Sequence, residues 1–448
     1  MLMAIALNRW KHKGALLWAA PALLAFGICP AQSVAKAPAS PGIAVVRYSV
    51  AQGENLYTLA QRYFIRPDDY KAVQRLYRIA DPRRVPIGMQ LRIPVRLLKR
   101  EPIRAVVHSY RGEVRIAARP AITGMIVREG DLIKTGERSF VTLTLPDDSA
   151  VALPSNSAVR VRLLRRTVLG NHLERLFAIE QGRVSATVTP MTDPLSDFQF
   201  VAPTATTSVR GTQFRVSYDI AAKRATGEVL EGKVAFDSPG MNEQLVPAGF
   251  GTANGLAVPL PLLPPPDLLH ADRTQSEEAL FFAVSPVTGA ARYHVQIGRD
   301  ADFLEVLDEA SAETPEARLA SLPNGSYFVR LTAIDQNQLE GKPATYAFER
   351  RLNRISTSSE ESKVGRYRQY LFRWRTPDAP GAHYRFQLWR ADESVPTVDE
   401  IGLTGTSFIV TDLAKGRYHW RVMTSEMVGG RLFEKWSSDR ELTVEDAR

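Results

Sequence analysis

Residues 48–94 read YSVAQGENLYTLAQRYFIRPDDYKAVQRLYRIADPRRVPIGMQLRIP, and this stretch decides the fold of the amino-terminal part of the chain. Val46, Tyr48 and Val50 alternate with other residues at the period of a half-buried strand. Gly53 follows at the point where the chain must reverse, because glycine adopts tight turn conformations without steric cost. The pattern therefore predicts a strand that enters a turn.

Two short helices and a closing strand are predicted after this turn. The first helix has an apolar stripe at helical spacing, made of Leu56, Leu59, Ala60 and Tyr63. The second is predicted to begin at Asp68, directly after Pro67, with acidic residues at its start and basic residues near its end. Its predicted buried stripe is Tyr70, Val73 and Leu76. In the closing strand, Leu91 and Ile93 point inward and Pro94 ends the pairing.

This strand, helix, helix, strand order resembles LysM, a small βααβ module that binds N-acetylglucosamine-containing glycans such as peptidoglycan, and we assign it to residues 46–95. The resemblance implies a glycan site in two facing loops, formed by Gly53, Glu54, Asn55 and Leu56 with Ile79, Ala80, Asp81 and Pro82. The sequence departs from the family pattern at Tyr77, where asparagine is usual, and at Glu54 and Asn55, where aspartate and threonine are usual. The alternative is a LysM module that serves only as a packing unit.

The beginning of the chain has the layout of a secretory signal peptide, predicted over residues 1–37. Arg9, Lys11 and Lys13 precede an apolar run over 15–28 that is short for a membrane span. The alternative is an uncleaved anchor, which would then be the only membrane contact. Cys29 is the only cysteine, so no intrachain disulfide can form. Together with the LysM resemblance, these features predict a periplasmic or cell-envelope protein of a Gram-negative bacterium.

The net charge of +9 is unevenly distributed along the chain. Residues 40–104 carry thirteen basic and five acidic side chains, so the basic character belongs to the LysM-like region and to the linker predicted over 95–104. In an exported chain we interpret this as attraction to anionic cell-wall groups and expect no nucleic-acid partner. A solvated basic face without a partner is the alternative.

Short β-type runs separated by turn residues follow over 105–255 and predict an all-β domain. Its most specific segment joins Pro203-Thr204-Ala205 to Val209-Arg210-Gly211-Thr212 and Phe214, and this segment is similar to the periplasmic FecR domain. Known FecR proteins sense outer-membrane receptors and control a sigma factor through a cytoplasmic amino-terminal segment. Only fourteen residues precede the apolar run here, so we do not expect that role to carry over. We interpret Arg210 and Gly211 as a structural turn with a buried guanidinium.

The third part of the chain begins with a proline-rich segment, residues 256–272, predicted to be a stiff spacer that lets its two sides orient apart. Residues 273–353 and 360–446 resemble each other and look like two fibronectin type III sandwiches. Both carry a Leu-x-x-Gly-x-Tyr corner, at 322–327 and 413–418. Four tryptophans could form a sugar-stacking face, but strand alternation favours the sandwich core for Trp374, Trp389, Trp420 and Trp436.

The motif search reveals no catalytic signature and no cofactor or metal motif. Glu305, Asp308 and Glu309 are interpreted as a solvated acidic group in a loop. The sequence thus predicts a multidomain, mainly β protein with a small βααβ LysM module, an all-β FecR-like domain and two β-sandwich domains. Its predicted function is non-catalytic: it binds peptidoglycan or another N-acetylglucosamine glycan and presents its β domains to an unidentified envelope protein. The alternative is a periplasmic FecR-type signal-sensing regulator, anchored by an uncleaved amino-terminal segment.

Overall fold

The computed structural model describes residues 44–271, 274–365 and 367–445. These residues form a small helical and β module followed by strands only, which confirms the mainly β fold class. The predicted signal peptide, residues 1–37, lies outside the described residues.

The amino-terminal module has the predicted βααβ order. Its elements are β1 (Val45–Ser49), α1 (Leu56–Tyr63), α2 (Tyr70–Tyr77) and β2 (Gln90–Pro94). A single 3-10 turn at Pro67–Asp69 precedes α2, so the second helix begins later than its acidic start predicted. β1 pairs antiparallel with β2, which places Tyr48 opposite Leu91. The stripe of α1 is buried as predicted.

The predicted stripe of α2 is wrong at one position. Val73 is fully buried, but Leu76 is 59% exposed. Tyr77 takes the inward position instead, and its hydroxyl accepts a hydrogen bond from the backbone N–H of Arg92 in β2. Tyr70, Val73 and Tyr77 follow the spacing i, i+3, i+7 of one helix face, whereas i+6 lies on a different face. The side chain at 77 therefore ties α2 to the closing strand.

The module is packed directly on the next part of the chain. Leu169, from the following β unit, belongs to the same buried cluster as Leu59 and Leu98 of the module. The backbone N–H of Lys99 donates to the Tyr63 carbonyl at 2.6 Å, and the N–H of Val168 donates to the Lys99 carbonyl at 2.9 Å. The basic segment that was interpreted as a linker is therefore ordered.

The strands that follow pair into one closed β unit, called the central β unit below. They are β3 (Arg100–Pro102), β4 (Ala105–Arg111), β5 (Val114–Ile116), β6 (Arg119–Pro120), β7 (Ile126–Val127), β8 (Leu132–Thr135), β9 (Phe140–Thr144), β10 (Ala150–Leu153), β11 (Ala158–Thr167), β12 (Leu173–Thr187), β13 (Asp197–Ala202), β14 (Ala205–Val209), β15 (Gln213–Asp219), β16 (Arg224–Glu231), β17 (Lys233–Asp237), β18 (Gln244–Pro247), β19 (Phe250–Ala253) and β20 (Leu260–Pro261).

The long strand β12 belongs to two sheets of this unit. Its first part pairs with β11 and its last part, Gly182–Thr187, pairs with β15. Alternating residues of β13 point into the core, where the rings of Phe177, Phe198 and Phe200 pack within 5.3 to 5.6 Å of one another. Aromatic rings at this spacing fill the space between sheets and stabilise the unit.

The Arg-Gly turn that marks the FecR resemblance lies between β14 and β15. Gly211 has a φ of +74°, which confirms a turn that favours glycine. The guanidinium of Arg210 is exposed rather than buried, and it donates to the Pro194 carbonyl at 2.8 Å. The predicted burial was therefore wrong, while its inferred role of satisfying a carbonyl agrees with the structure.

The proline-rich segment, predicted to be a stiff spacer that lets its two sides orient apart, is held by contacts on both sides. Leu260–Pro261 forms β20 and pairs with β19, and Leu262 is buried. The carbonyl of Leu263 accepts a hydrogen bond from the N–H of Lys342 at 2.9 Å. The segment is held on both sides because its apolar leucines alternate with the prolines and pack against neighbouring strands.

Two sandwiches complete the described chain, each with a four-stranded path facing a smaller sheet. The first sandwich consists of β21 (Leu280–Ala283), β22 (Ala290–Gly298), β23 (Val306–Ala312), β24 (Glu316–Leu319), β25 (Gly325–Asp335) and β26 (Ala344–Arg350). The second consists of β27 (Ser356–Val364), β28 (Tyr367–Arg375), β29 (His383–Arg390), β30 (Val398–Leu403), β31 (Ser407–Thr411), β32 (Gly416–Val428), β33 (Arg431–Trp436) and β34 (Arg440–Val444). The order β23-β22-β25-β26 recurs as β30-β29-β32-β33, so the predicted repeat is confirmed as an arrangement of the fibronectin type III kind.

The corner motif forms in both sandwiches. The hydroxyl of Tyr327 donates to the Pro323 carbonyl at 3.0 Å, and that of Tyr418 donates to the Ala414 carbonyl at 2.8 Å. Each bond reaches four residues back and fixes the entry of the strand that follows, as in a tyrosine corner.

The tryptophans of the second sandwich divide into two groups. Trp374 and Trp420 are in the core as predicted. Trp389 and Trp436 are not: they lie half-buried on the outer face of the sheet, with the guanidinium of Arg421 placed 5.3 Å and 4.3 Å from their rings. Because a guanidinium stacks on these two rings, they form a cation–π ladder.

Candidate functional site

The first predicted glycan loop is fixed by the start of α1. The side-chain oxygen of Asn55 accepts hydrogen bonds from the N–H groups of Tyr57 and Thr58, both at 3.0 Å. In return, the hydroxyl of Thr58 accepts the N–H of Asn55 at 2.9 Å. This reciprocal pair is a capping box, so Asn55 holds the loop at the helix terminus.

Glu54 stabilises the turn before this helix. Its carboxylate accepts the hydroxyl of Tyr48 at 2.6 and 2.8 Å and the N–H of Ala51 at 2.9 Å. Burial and the neighbouring Glu54 raise the pKa of Tyr48, so the phenol keeps its proton. The adjacent Gly53 is exposed, with a φ of +81° and open space where a side chain would point.

The second predicted loop is closed by its own hydrogen bonds. The side-chain amide of Gln74 donates to the Ile79 carbonyl at 2.9 Å, and the N–H of Ile79 donates to the Gln74 carbonyl at 3.0 Å. The carboxylate of Asp81 accepts the N–H of Arg83 at 2.9 Å. Ala80 lies between these fixed points, and its side chain is exposed.

The structure places the two loops side by side. The N–H of Leu56 donates to the Pro82 carbonyl at 3.0 Å. Because these two groups satisfy each other and Leu56 is fully buried, Leu56 holds the loops together and has no free side-chain surface. The exposed part of the pair consists of Gly53, Ala80 and Asp81.

A pair of tyrosines next to the first loop was missed by the sequence reasoning. Tyr57 directly follows Leu56 and is 36% exposed. Its ring lies 4.5 Å from that of Tyr70, and their hydroxyls are 3.3 Å apart. The exposed ring of Tyr57 is a suitable stacking surface for a sugar ring, while Tyr70 packs partly against the core of the module. The signal in the sequence was an aromatic residue off the apolar stripe of α1.

A second group of charged residues lies where the central β unit meets the first sandwich, and it is called the ionic cluster below. One buried carboxylate, Glu340, lies 2.6 Å from Arg183, 3.2 Å from Arg215 and 3.0 Å from His294. The other ring nitrogen of His294 lies 3.0 Å from Glu309. The arginines come from β12 and β15, while the other three residues come from the sandwich, so the cluster joins the two.

The acidic group predicted to be solvated belongs largely to this interface. Asp308 is 4% exposed and forms two hydrogen bonds with Arg138 of the central β unit, at 2.7 and 3.1 Å. Glu309 accepts the backbone N–H of Ser155, also in the central β unit, at 3.2 Å. Only Glu305 remains in an exposed ion pair, with Arg299. The prediction was wrong because β23 continues through the segment that was interpreted as a loop.

The ionic cluster shifts the pKa values of its members. Burial would lower the pKa of His294, but Glu340 and Glu309 outweigh it and raise this pKa from 6.5 to about 9. Burial would raise the pKa of Glu309, but His294 lowers it to about 2. Glu340 is held well below its usual pKa by Arg215, Arg183 and His294 despite its burial. Near neutral pH the cluster therefore contains a protonated imidazole between two carboxylates.

The pKa of Glu228 in β16 is raised, whereas those of the carboxylates Glu309 and Glu340 are lowered. Burial raises its pKa from 4.5 to about 7, although Arg215 and Arg183 partly offset this effect. A raised folded-state pKa means that the folded protein holds a proton that the unfolded chain releases, so stability is lost as pH rises from 4.5 through about 7. His294 acts in the same direction from 6.5 through about 9.

We expect the free energy of unfolding to fall between pH 5 and pH 8. Glu228→Gln, which keeps a neutral side chain of the same size, should reduce the fall and stabilise the protein at pH 8 relative to wild type. Urea denaturation at several pH values measures this. Glu231→Gln, on the exposed end of the same strand, is the control and should keep the wild-type slope. A pH dependence unchanged by Glu228→Gln would contradict the assignment.

The fold defines a small βααβ module that precedes a β domain. Comparison with family models agrees: residues 48–94 match the LysM domain and residues 131–235 match the FecR protein family. The chain therefore contains a LysM domain and a FecR domain. LysM domains bind peptidoglycan or N-acetylglucosamine glycans, and LysM and FecR domains are binding and regulatory modules typical of the bacterial cell envelope.

Several solved structures are similar to parts of the chain. A Parabacteroides distasonis protein described as an anti-sigma factor is 22% identical, with a TM-score of 0.23, over 27% of this chain and 53% of its own. The chain thus spans about half the length of that protein. A two-domain fibronectin type III segment of chicken tenascin is 14% identical, with a TM-score of 0.22, over 41% of this chain and 99% of its own. The FN1–FN3 domains of chicken CNTN1 are 11% identical, with a TM-score of 0.25, over 70% of this chain and 99% of their own.

No curated protein matches the chain. Within the described residues, no helix has both the length and the apolar character needed to cross a membrane.

Proposed function

We propose that this protein is a non-catalytic component of the bacterial cell envelope that binds peptidoglycan, or another N-acetylglucosamine glycan, through the loops 53–56 and 79–82. The observation that carries the proposal is the placement of these loops side by side in a LysM domain, joined by the hydrogen bond from Leu56 to Pro82. Gly53 in one loop and Ala80 in the other are exposed, and polar backbone groups at such positions suit the N-acetyl and hydroxyl groups of this ligand. Tyr57 adds a ring on which a sugar can stack.

The central β unit and the sandwiches then present surfaces to an unidentified envelope protein. The contacts between the LysM domain and the central β unit support this role, because a module packed through Leu98 and Leu169 transmits its attachment to the rest of the chain. The FecR match favours a second function, a signal-sensing regulator in which the FecR domain responds to another protein.

Sedimentation with isolated peptidoglycan sacculi tests the glycan-binding proposal. Deleting 48–94 would also uncover Leu169, so a point variant is the cleaner test. Ala80→Trp places a bulky ring in the exposed second loop, and we expect it to weaken co-sedimentation about tenfold, equivalent to ~1.4 kcal/mol. Ala222→Trp, on an exposed turn of the central β unit, is the matched control.

The expected result is that wild type and Ala222→Trp sediment equally with sacculi, whereas Ala80→Trp needs about tenfold more sacculi for the same sedimented fraction. Equal sedimentation of all three would overturn the assignment of the loops. No sedimentation of the wild type would overturn the glycan-binding proposal and leave LysM as a packing unit.

A further inference from the structure

A cavity of about 60 Å³ lies between the central β unit and the first sandwich, next to the ionic cluster. Both sides contribute to its wall: Phe140, Leu153 and Arg183 from the central β unit, and Phe303, Leu304 and Arg330 from the sandwich. Binding sites occur preferentially at such domain interfaces, where apolar walls surround a few polar groups.

Arg330 differs from the other cations of this wall. Among the described residues, its Nε has no hydrogen-bond partner and no carboxylate lies within ion-pair distance of its guanidinium. In the part of the chain that the structure describes, its one hydrogen bond is a long contact of 3.4 Å to the Asp302 carbonyl. The guanidinium lies over the ring of Phe303 at 3.9 Å, which fixes its orientation.

Asp302 lines the cavity, and Asp300 and Glu340 also act on Arg330, but no described carboxylate forms an ion pair with its guanidinium. Glu340 is already shared by Arg183, Arg215 and His294. Burial and the nearby positive charge of Arg215 lower the pKa of Arg330 to about 10, and Glu340, Asp300 and Asp302 offset only part of this effect. A half-buried cation beside another cation is stabilised by any anion that reaches it, because electrostatic interactions are strong where water is excluded.

The volume of the cavity and its apolar wall restrict which anions can bind there. Phe140, Phe303 and Val306 form a small apolar cluster on one side of the cavity. The volume has room for about four to six water-sized groups, which is enough for one planar head group with a short attached carbon chain. Arg330 offers a planar fork of donors that matches a carboxylate.

We propose that this cavity is a binding site for a small carboxylate, with the head group paired to Arg330 and the carbon chain against Phe140 and Phe303. Because the wall comes from both the central β unit and the sandwich, a bound carboxylate strengthens the contact between them. The site is independent of the glycan loops.

Titration of the full chain with sodium propionate tests this site by methyl NMR of Leu153, Leu304 and Val306. Propionamide, which has the same shape but no charge, and sodium chloride at equal ionic strength are the reference solutes. We expect saturable methyl shifts and a raised Tm with propionate only, because a ligand that binds the folded state stabilises it.

Two variants sharpen the result. Arg330→Gln should weaken propionate binding about tenfold or more, and it should not lower the Tm, because it removes a buried cation without a carboxylate partner. Arg299→Gln, from an exposed ion pair with Glu305, is the control and should bind as wild type does. Shifts that do not saturate, equal shifts with propionamide, or unchanged binding by Arg330→Gln would each overturn the proposal. If Arg330→Gln fails to fold, the wild-type titrations with propionate and propionamide are sufficient to test whether the cavity binds a carboxylate.

Discussion

Glu340→Gln is expected to lower the free energy of unfolding by about 3–5 kcal/mol, because removing one partner leaves buried charges uncompensated. Glu340 is 4% exposed and is the only described carboxylate within ion-pair distance of Arg183 and Arg215. Glutamine keeps the size of the side chain, so the loss reports the charge and not a cavity. His294 would retain Glu309 as its remaining carboxylate.

Urea denaturation followed by far-ultraviolet circular dichroism measures this loss, and Glu305→Gln is the matched control. Glu305 pairs with Arg299 at 3.0 Å, but both side chains are exposed, so we expect a change of about 0–1 kcal/mol. A loss for Glu340→Gln as small as that of the control would show that the ionic cluster does not stabilise the contact between the central β unit and the first sandwich.

The ionic cluster could not have been predicted from local sequence patterns. Arg183 and Glu340 are 157 residues apart, and Arg215 bonds a carbonyl 125 residues away. Periodicity reports only which face of a strand is buried, and a charged residue at a buried position looks the same as one at a solvated edge. Glu309 illustrates this, since its partners His294 and Ser155 come from different strands and loops.

The local elements were predictable because their signals are local. The stripe of α1 and the corner tyrosines Tyr327 and Tyr418 make their defining contacts with residues close to them in the sequence. The wrong interpretation of Glu305, Asp308 and Glu309 depends on tertiary contacts. The error at Leu76 does not, because the spacing i, i+3, i+7 of one helix face already favours Tyr77, whose hydroxyl accepts the N–H of Arg92 in β2.

The candidate glycan site could be predicted from the sequence only in part. The sequence resemblance indicated both loops, and the structure places them side by side. It also shows that Leu56 and Pro82 satisfy each other's backbone groups, which no motif expresses. The site residues stay predictions until glycan binding is measured. The domain boundaries also stay predictions.

Gly211→Ala is expected to destabilise the FecR domain by about 2–5 kcal/mol, the sum of two effects. Gly211 has a φ of +74°, a conformation that costs a residue with a Cβ about 1–2 kcal/mol. In addition, a Cβ at this position would lie 2.4 Å from the Cα of Pro190. Because that neighbour is backbone, the loop containing Pro190 and the turn before β15 must move apart, and overpacking of this kind costs about 1–3 kcal/mol more.

Gly240→Ala separates these two effects. Gly240 has a φ of +80°, nearly the same conformation, but nothing lies within 4 Å of the added atom. It should therefore lose only the conformational part, about 1–2 kcal/mol. The difference between the two variants, measured by urea denaturation under identical conditions, gives the energy of the close approach between the Arg-Gly turn and Pro190. Equal losses would mean that the loop at Pro190 moves away freely, and the glycine of this turn would then be required for its backbone conformation alone.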